Sequence, residues 1–164
     1  MLGVANEAPE DWWEVEALFD LAFAPGREAL SSYRLREGTG PLADLSLVAR
    51  DEYGGLGGAV RVWPVRVDTN IALLVGPIAV HPTHQGEGLG GLLMRESLGR
   101  ARAAGWQRAM LVGDAPYYQR FGFRRLDGVI MPPPTNPDRV LGADLAQDAW
   151  DGIAGHVRPW AEAR

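Results

Sequence analysis

The sequence predicts an α+β fold in which helices accompany a sheet of mostly antiparallel strands. Apolar residues first recur at helical spacing, from Trp12 to Ala22, directly after Pro9 and two acidic residues. The period then changes: apolar segments separated by short turns run from Leu45 to Val80. A glycine-rich stretch then leads into a second amphipathic helix. Strands joined by such short links pair antiparallel, which predicts a meander.

The N-terminal half contains two predicted helices and three predicted strands. Pro25-Gly26 ends the first helix, and a second, short helix is expected near residues 27–35. The first strand covers residues 45–50. The second covers 59–67, with an interruption at Pro64, and the third is the strongly apolar segment 71–80.

The C-terminal half is predicted to alternate short elements. A helix over residues 88–104 places Leu89, Leu93, Ser97 and Ala101 on one face. The remaining expected elements are a buried strand at 108–112, one or two helical turns at 116–121 closed by Gly122, and late strands at 140–145 and 155–157.

Composition limits the functions open to this chain. Its 164 residues fit a single domain, 1–164. The net charge of −5 disfavours nucleic-acid binding, and the absence of cysteine excludes thiolate chemistry. Three scattered histidines predict no metal site. We expect no membrane span, and the N-terminus lacks the basic segment of a signal peptide, so a cytoplasmic location is expected.

The stretch between the third strand and the following helix carries the chemistry. Four glycines occupy six positions, at 86, 88, 90 and 91. Without side chains, the backbone N–H groups and the positive end of the helix form an anion site suited to a pyrophosphate. A merely flexible turn is the simpler alternative, but one or two glycines would suffice for it.

The loop matches one known phosphate-binding motif in part and fails to match a second. Gly86, Gly88 and Gly91 satisfy the G-x-G-x-x-G fingerprint of dinucleotide-binding folds, and Asp114 lies near the position of the ribose-binding acid. Pro82 and several polar residues nevertheless separate the strand from the glycines, and no further β-α-β unit follows. A P-loop is excluded because no Gly-Lys-Ser/Thr is present.

The same loop resembles motif A of the GCN5-related N-acetyltransferase (GNAT) superfamily, Gln/Arg-x-x-Gly-x-Gly/Ala, at residues 85–90. Residues 78–82 resemble that family's fourth strand and its Val-x-Pro entry to the loop. The resemblance implies acetyl-CoA as cosubstrate, with its pyrophosphate on the loop and its pantetheine arm on the strand. The implied cofactor contacts are Ile78, Ala79, Val80, Gln85, Gly86, Glu87, Gly88, Leu89, Gly90 and Gly91.

A second motif, Tyr117 to Phe123, resembles the family's Leu-Tyr-x-x-x-Gly-Phe segment. In this segment the chain resembles the YhbS-like branch of the family. The resemblance implies a central mixed, mostly antiparallel, splayed sheet flanked by helices. It also implies acetyl transfer by direct attack of a primary amine, on a small molecule or a protein N-terminus. An acetyl-CoA-binding regulator without turnover is the alternative, and a homodimer is compatible with either.

The resemblance assigns Tyr118 as the general acid that protonates the CoA sulfur; a packing role is the alternative. No general base is evident, because residues 71–80 contain no Asp or Glu. Asp114, Glu37 and a chain of waters remain candidates, while His81 and His84 are interpreted as solvated loop residues. Arg34 and Arg36 either meet an acidic substrate or form a solvated helix face.

Overall fold

The computed structural model describes residues 2–23, 31–36 and 38–160. Within these ranges, the strands are β1 (Gly3–Asn6), β2 (Leu47–Arg50), β3 (Leu56–Val67), β4 (Asn70–Val80), β5 (Arg108–Val112), β6 (Arg124–Arg125), β7 (Val129–Ile130), β8 (Val140–Asp144) and β9 (Gly155–Pro159). The α-helices are α1 (Trp12–Ala22), α2 (Ser31–Arg34), α3 (Leu89–Ala103) and α4 (Ala115–Tyr118).

The sheet is mixed and mostly antiparallel, in the order β1-β2-β3-β4-β5-β8-β6. Strand β9 pairs with the second half of β3, and β7 pairs with β9. The central pair, β4 with β5, is parallel, and its register consists of only two pairs, Leu73↔Ala109 and Leu74↔Met110. The two strands then separate. This confirms the predicted splayed sheet and the antiparallel meander of β2, β3 and β4.

Helices cover both faces of the sheet. The predicted apolar face of α3 is buried, and within it Ser97 Oγ donates to the carbonyl of Leu45 at 2.8 Å. Helix α1 packs Val15, Leu18 and Phe19 against Ala59 and Ala79 on the opposite face. Helices α1 and α3 pack on opposite faces of β3 and β4. The face to which each side chain of these two strands points is therefore fixed.

The predicted interruption of the second strand at Pro64 is wrong, since β3 is continuous and Pro64 pairs with Leu73. Val62, two residues earlier, directs its N–H away from β4 and donates it to Ser46 Oγ at 3.0 Å. Alternation along the strand places the Pro64 nitrogen on that same side. The β3–β4 ladder therefore loses no hydrogen bond at the proline.

The other boundaries agree with prediction to within a few residues, except for three strands that the pattern did not reveal. These are β1, β6 and β7, of four, two and two residues. Such short strands present too little alternation to be read from sequence. The Pro25-Gly26 stop and residues 27–30 of the second predicted helix lie outside the described residues.

A buried cation ties the N-terminal segment to the sheet. Arg61 of β3 is 1% exposed and bonds the carboxylate of Glu7 through Nε at 3.0 Å and Nη2 at 2.9 Å. It also pairs with Glu16 of α1, and its guanidinium stacks 3.7 Å from the ring centroid of Trp12. One guanidinium thus joins both the segment after β1 and helix α1 to β3.

We predict that Arg61→Ala lowers the free energy of unfolding by about 3–5 kcal/mol, because it leaves the nearly buried carboxylate of Glu7 without its partner. The matched control is Arg50→Ala. Arg50 pairs with Asp11 and Glu14 at 2.8 and 2.6 Å in a partly exposed position. Its loss should cost about 1 kcal/mol or less. Urea unfolding of both variants measures the difference, and equal losses would contradict the assignment.

Candidate active site

Strand β4 carries one extra residue at its middle. In the pairing with β3, Val60 faces Ile78 and Val62 faces Val75, so a two-residue step on β3 faces a three-residue step on β4. The extra residue falls at Gly76–Pro77, where Gly76 has φ +132°. A bulge bends the strand that carries it. It lies directly after the short pairing with β5, where the two strands part.

Past the bulge, β4 presents backbone groups to the open side. The His81 N–H donates to the Gly57 carbonyl of β3 at 2.8 Å. Alternation along an antiparallel ladder then directs the N–H and C=O groups of Ile78 and Val80 away from β3. They face the gap into which β5 does not extend, so they are available to an extended ligand.

The gap between the separated strands contains two adjoining cavities. The loop-side cavity is lined by Ile78, Ala79, Val80, Gly90, Met94, Tyr117, Tyr118 and Phe121. The bulge-side cavity is lined by Phe23, Tyr33, Arg36, Leu74, Val75, Gly76, Pro77, Ile78, Leu111, Val112 and Tyr118. The two cavities share Ile78 and Tyr118, which therefore stand at their junction.

The glycine-rich loop leads into the start of α3, which lies beside the loop-side cavity. Gly86 and Gly88 have φ values of +86° and +76°, which L side chains rarely adopt. The Leu92 N–H makes its helical bond to Gly88, at 3.1 Å, so the N–H groups of residues 89–91 precede the helical ladder. No acidic residue lies in the first turn of α3. This end of the helix fits a pyrophosphate in charge and in exposed backbone.

The structure brings together some of the ten predicted cofactor contacts and not others. Ile78, Ala79, Val80 and Gly90 line the loop-side cavity. The side chain of Leu89 is buried in the core beneath α3 at 4% exposure, so it offers a ligand only its backbone. The others lie along the loop and the start of α3 without lining the cavity: Gln85, Gly86, Glu87, Gly88 and Gly91.

Helix α4 places Tyr118 at the junction. The side chain of Asp114 caps this helix by accepting the N–H of Tyr117 at 3.2 Å. The Tyr118 ring packs against Phe123 and lies over Gly113, where a Cβ atom would be only 2.5 Å from Tyr118 Cε2. Burial raises the pKa of the Tyr118 phenol above its ordinary value of about 10, and the neighbouring Tyr117 raises it further.

None of the described histidines and carboxylates considered as a general base lines the junction. His81 and His84 bond Thr83 and Glu87, at 2.8 and 3.0 Å, and line neither cavity. Asp114 is engaged as a helix cap, and Glu37 lies outside the described residues. Within the described ranges, no group of three His, Asp or Glu side chains could hold a metal ion.

Arg34 and Arg36 separate in the structure. Arg34 is exposed, whereas Arg36 lines the bulge-side cavity between the rings of Tyr33 and Trp63. Their spacing in the sequence carries no signal that distinguishes the two arginines. Gly113 was likewise invisible as a contact of Tyr118, because only the packed structure shows the ring above it.

A model of the acetyltransferase (GNAT) domain family matches residues 43–125. The chain belongs to the GNAT acetyltransferase family. It is 34% identical to the uncharacterized N-acetyltransferase YhbS of Escherichia coli K12 over 155 residues, 92% of each chain. It is 33% identical to the uncharacterized N-acetyltransferase YjhQ of the same organism, over 65% of this chain and 61% of YjhQ. The dinucleotide-binding alternative is thereby excluded.

Solved structures agree with this membership. The crystal structure of E. coli YhbS in complex with CoA superposes with a TM-score of 0.83 at 29% identity, covering 96% of this chain and 89% of that one. A Brucella melitensis GNAT acetyltransferase in complex with acetyl-CoA gives 0.75 at 27%, covering 98% and 97%. The protein is therefore an acetyl-CoA-dependent acyltransferase. No described helix is long and apolar enough to cross a membrane.

We predict that Gly90→Val weakens CoA binding by at least tenfold. A Cβ atom at Gly90 meets Val80 Cγ2 at 3.5 Å, an ordinary contact, so the branched side chain fills the loop-side cavity with little strain. The control is Gly99→Val on the exposed side of the same helix, where a Cβ atom meets nothing within 4 Å. Calorimetric titration with CoA and thermal unfolding measure both variants. Unchanged CoA affinity in folded Gly90→Val would remove the cofactor from this cavity.

Proposed function

We propose that this acetyltransferase transfers the acetyl group of acetyl-CoA to a primary amine of a small molecule or a protein N-terminus. The pyrophosphate lies at the start of α3, and the pantetheine arm runs along Ile78–Val80 in the loop-side cavity. The amine enters through the bulge-side cavity. The observation that carries this proposal is the junction, where Ile78 and Tyr118 line both cavities.

At the junction the amine nitrogen attacks the thioester carbonyl carbon, in line with the bond to sulfur. The Ile78 N–H faces this gap and donates to the carbonyl oxygen as negative charge develops on it. The new C–N bond replaces the C–S bond, and the sulfur takes the proton of the Tyr118 phenol. The nitrogen gives up one proton, which returns through water to the phenolate.

The raised pKa of Tyr118 supports this role. A phenol that stays protonated up to and beyond its ordinary pKa is available as a proton donor throughout the neutral range. The donor sits on a capped helical turn with its ring held by Gly113 and Phe123, so the hydroxyl needs no rearrangement before it acts.

The acceptor must arrive as a neutral amine, because an ammonium has no lone pair. None of the described residues that line the bulge-side cavity is Asp or Glu. This feature also fits the alternative, an acetyl-CoA-binding regulator without turnover. Release of free CoA thiol from acetyl-CoA over a panel of amines separates the two, since a regulator releases none above the rate of spontaneous hydrolysis.

We predict that Tyr118→Phe lowers turnover about 10²-fold, at the lower end of the range for a positioned acid, because a thiolate can also leave unprotonated. The affinity for acetyl-CoA should be nearly kept, since the hydroxyl acts on the departing sulfur. In the proposed mechanism, turnover falls with rising pH when the phenol ionises. The alkaline fall in the pH–rate profile of wild type should therefore lie above about pH 10, and it should be absent from the profile of the variant. Steady-state kinetics across pH measures both effects.

The control for this variant is Tyr53→Phe, which removes the same hydroxyl from a ring that is 89% exposed. It should leave turnover unchanged. Full turnover in Tyr118→Phe would reduce Tyr118 to a packing residue.

A second variant tests the position of the phenol rather than its presence. We predict that Gly113→Ala lowers turnover at least tenfold with acetyl-CoA affinity nearly kept, because the added Cβ must displace the Tyr118 ring that lies 2.5 Å away. In a Tyr118→Phe background, the same change should cost much less turnover, since no acid remains to be displaced. Additive losses in the double variant would show that Gly113 acts independently of Tyr118.

A further inference from the structure

An exposed arginine lies beside the start of α3. Arg95 follows the first turn of this helix, and its side chain runs back toward the glycine-rich loop. Its Nη1 is 3.0 Å from the position that a Cβ atom would take at Gly91. The guanidinium also lies 5.1 Å from the ring centroid of Phe121, which lines the loop-side cavity. A positive charge is therefore held beside the wall of that cavity, next to the N–H groups that precede the helical ladder.

Among the described residues, none accepts a hydrogen bond from this guanidinium. Its contact with the ring of Phe121 uses none of its five N–H donors. The carboxylate next to it in sequence, Glu96, pairs with Arg100 at 3.3 Å. Glu87 of the loop pairs with His84 at 3.0 Å. Arg95 therefore presents both its charge and its planar set of donors to solvent at this end of α3.

CoA carries more phosphate than the glycine-rich loop accounts for. Besides its pyrophosphate, it has a phosphate monoester on the 3′ position of its ribose, with a charge of about −1.5 to −2 at pH 7. The protein has a net charge of −5. An acidic protein repels such a polyanion unless positive charge lies at the point of contact. The open N–H groups of residues 89–91 suit the pyrophosphate, and this leaves the monoester without a partner.

We propose that Arg95 binds the 3′-phosphate of CoA and so distinguishes CoA from dephospho-CoA. The inference rests on the proposed function, in which the pantetheine arm lies in the loop-side cavity and the pyrophosphate at the start of α3. The ribose follows the pyrophosphate on the side away from the pantetheine. It therefore lies outside the cavity, on the surface where Arg95 is exposed. A guanidinium matches two oxygens of a phosphate with two parallel hydrogen bonds.

A second arginine lies nearby but is engaged differently. The guanidinium of Arg120 is 4.6 Å from the ring centroid of Tyr117, and its Nε donates to the Tyr117 carbonyl at 3.0 Å. One of its donors is thus committed to the protein, whereas the donors of Arg95 are open. We therefore assign the phosphate to Arg95 and use Arg120 as the nearby comparison.

The first experiment measures binding and needs no turnover. Dephospho-CoA lacks only the 3′-phosphate, so calorimetric titration with CoA and with dephospho-CoA measures the contribution of this group directly. Wild type should bind CoA about tenfold more tightly, as expected for charge-assisted hydrogen bonds. Added salt should reduce this preference, because it screens exposed charges. Equal binding of the two ligands by wild type would overturn the inference.

Variants then assign the preference to one residue. Arg95→Gln should lower the affinity for CoA to that for dephospho-CoA, while dephospho-CoA binds as it does to wild type. Arg95→Lys keeps the charge without the fork of donors and should retain part of the preference. The controls are Arg120→Gln and Arg100→Gln, which remove the same charge elsewhere and should keep most of the preference.

Two results with these variants would overturn the inference. Equal weakening of both ligands in Arg95→Gln would assign the guanidinium to the pyrophosphate or to packing on Phe121. A loss of the preference in Arg120→Gln or Arg100→Gln as large as in Arg95→Gln would show that Arg95 does not provide it.

Kinetics separates this inference from the proposed function. With an acetylated amine as acceptor, acetyl-dephospho-CoA should show a raised KM and an unchanged kcat relative to acetyl-CoA. A contact remote from the thioester stabilises the ground state and the transition state alike. If CoA is preferred through Arg95 but no amine is acetylated, the proposed function fails and the phosphate site stands. If amines are acetylated with the same KM for both thioesters, the proposed function stands and the phosphate site fails.

Discussion

The extra residue in β4 is the constraint on which the rest of the site depends. A regular β4 would continue its parallel pairing with β5 and close the sheet, leaving no gap for a ligand. The bulge at Gly76–Pro77 follows the last shared register at Leu74, and the strands part there. Unpaired backbone is costly in a sheet interior. The edges exposed by the splay therefore favour a ligand that can pair with them as a strand does.

Two side chains bond the backbone of the bulge. Trp63 of β3 and Arg36 after α2 both donate to the carbonyl of Gly76, which the irregular ladder turns away from its neighbours. Trp63 at the same time stacks on Arg36. The bulge that opens the sheet and a charged residue that lines the bulge-side cavity are thus neighbours in one cluster. A change at Trp63 would disturb both together.

The fold was largely predictable because its signals are periodic. Residues 89, 93, 97 and 101 fixed the face of α3, and alternation with short turns fixed the meander. The sequence did not reveal which side of a strand lacks a partner, and this decides whether a proline interrupts it. The sequence pattern therefore predicts a break at Pro64, although the nitrogen of Pro64 faces a side on which the ladder needs no donor. The bulge leaves no signal in the sequence for the same reason, since it can be recognised only against the partner strand.

The two parts of the candidate site differ in how well their residues can be recognised from the sequence. The loop before α3 and the adjoining edge of β4 offer backbone to a ligand: glycines with positive φ, the open N–H groups at the start of α3 and the outward edge of β4. Backbone recognition requires particular glycines in a particular order, and this leaves a motif. The bulge-side cavity is built from side chains on separate elements, such as Tyr33, Leu111 and Tyr118, whose spacing in the chain carries no pattern. Under the proposed function, in which the acceptor enters through the bulge-side cavity, this division predicts that the acceptor can change residue by residue without disturbing the loop that is proposed to hold the cofactor.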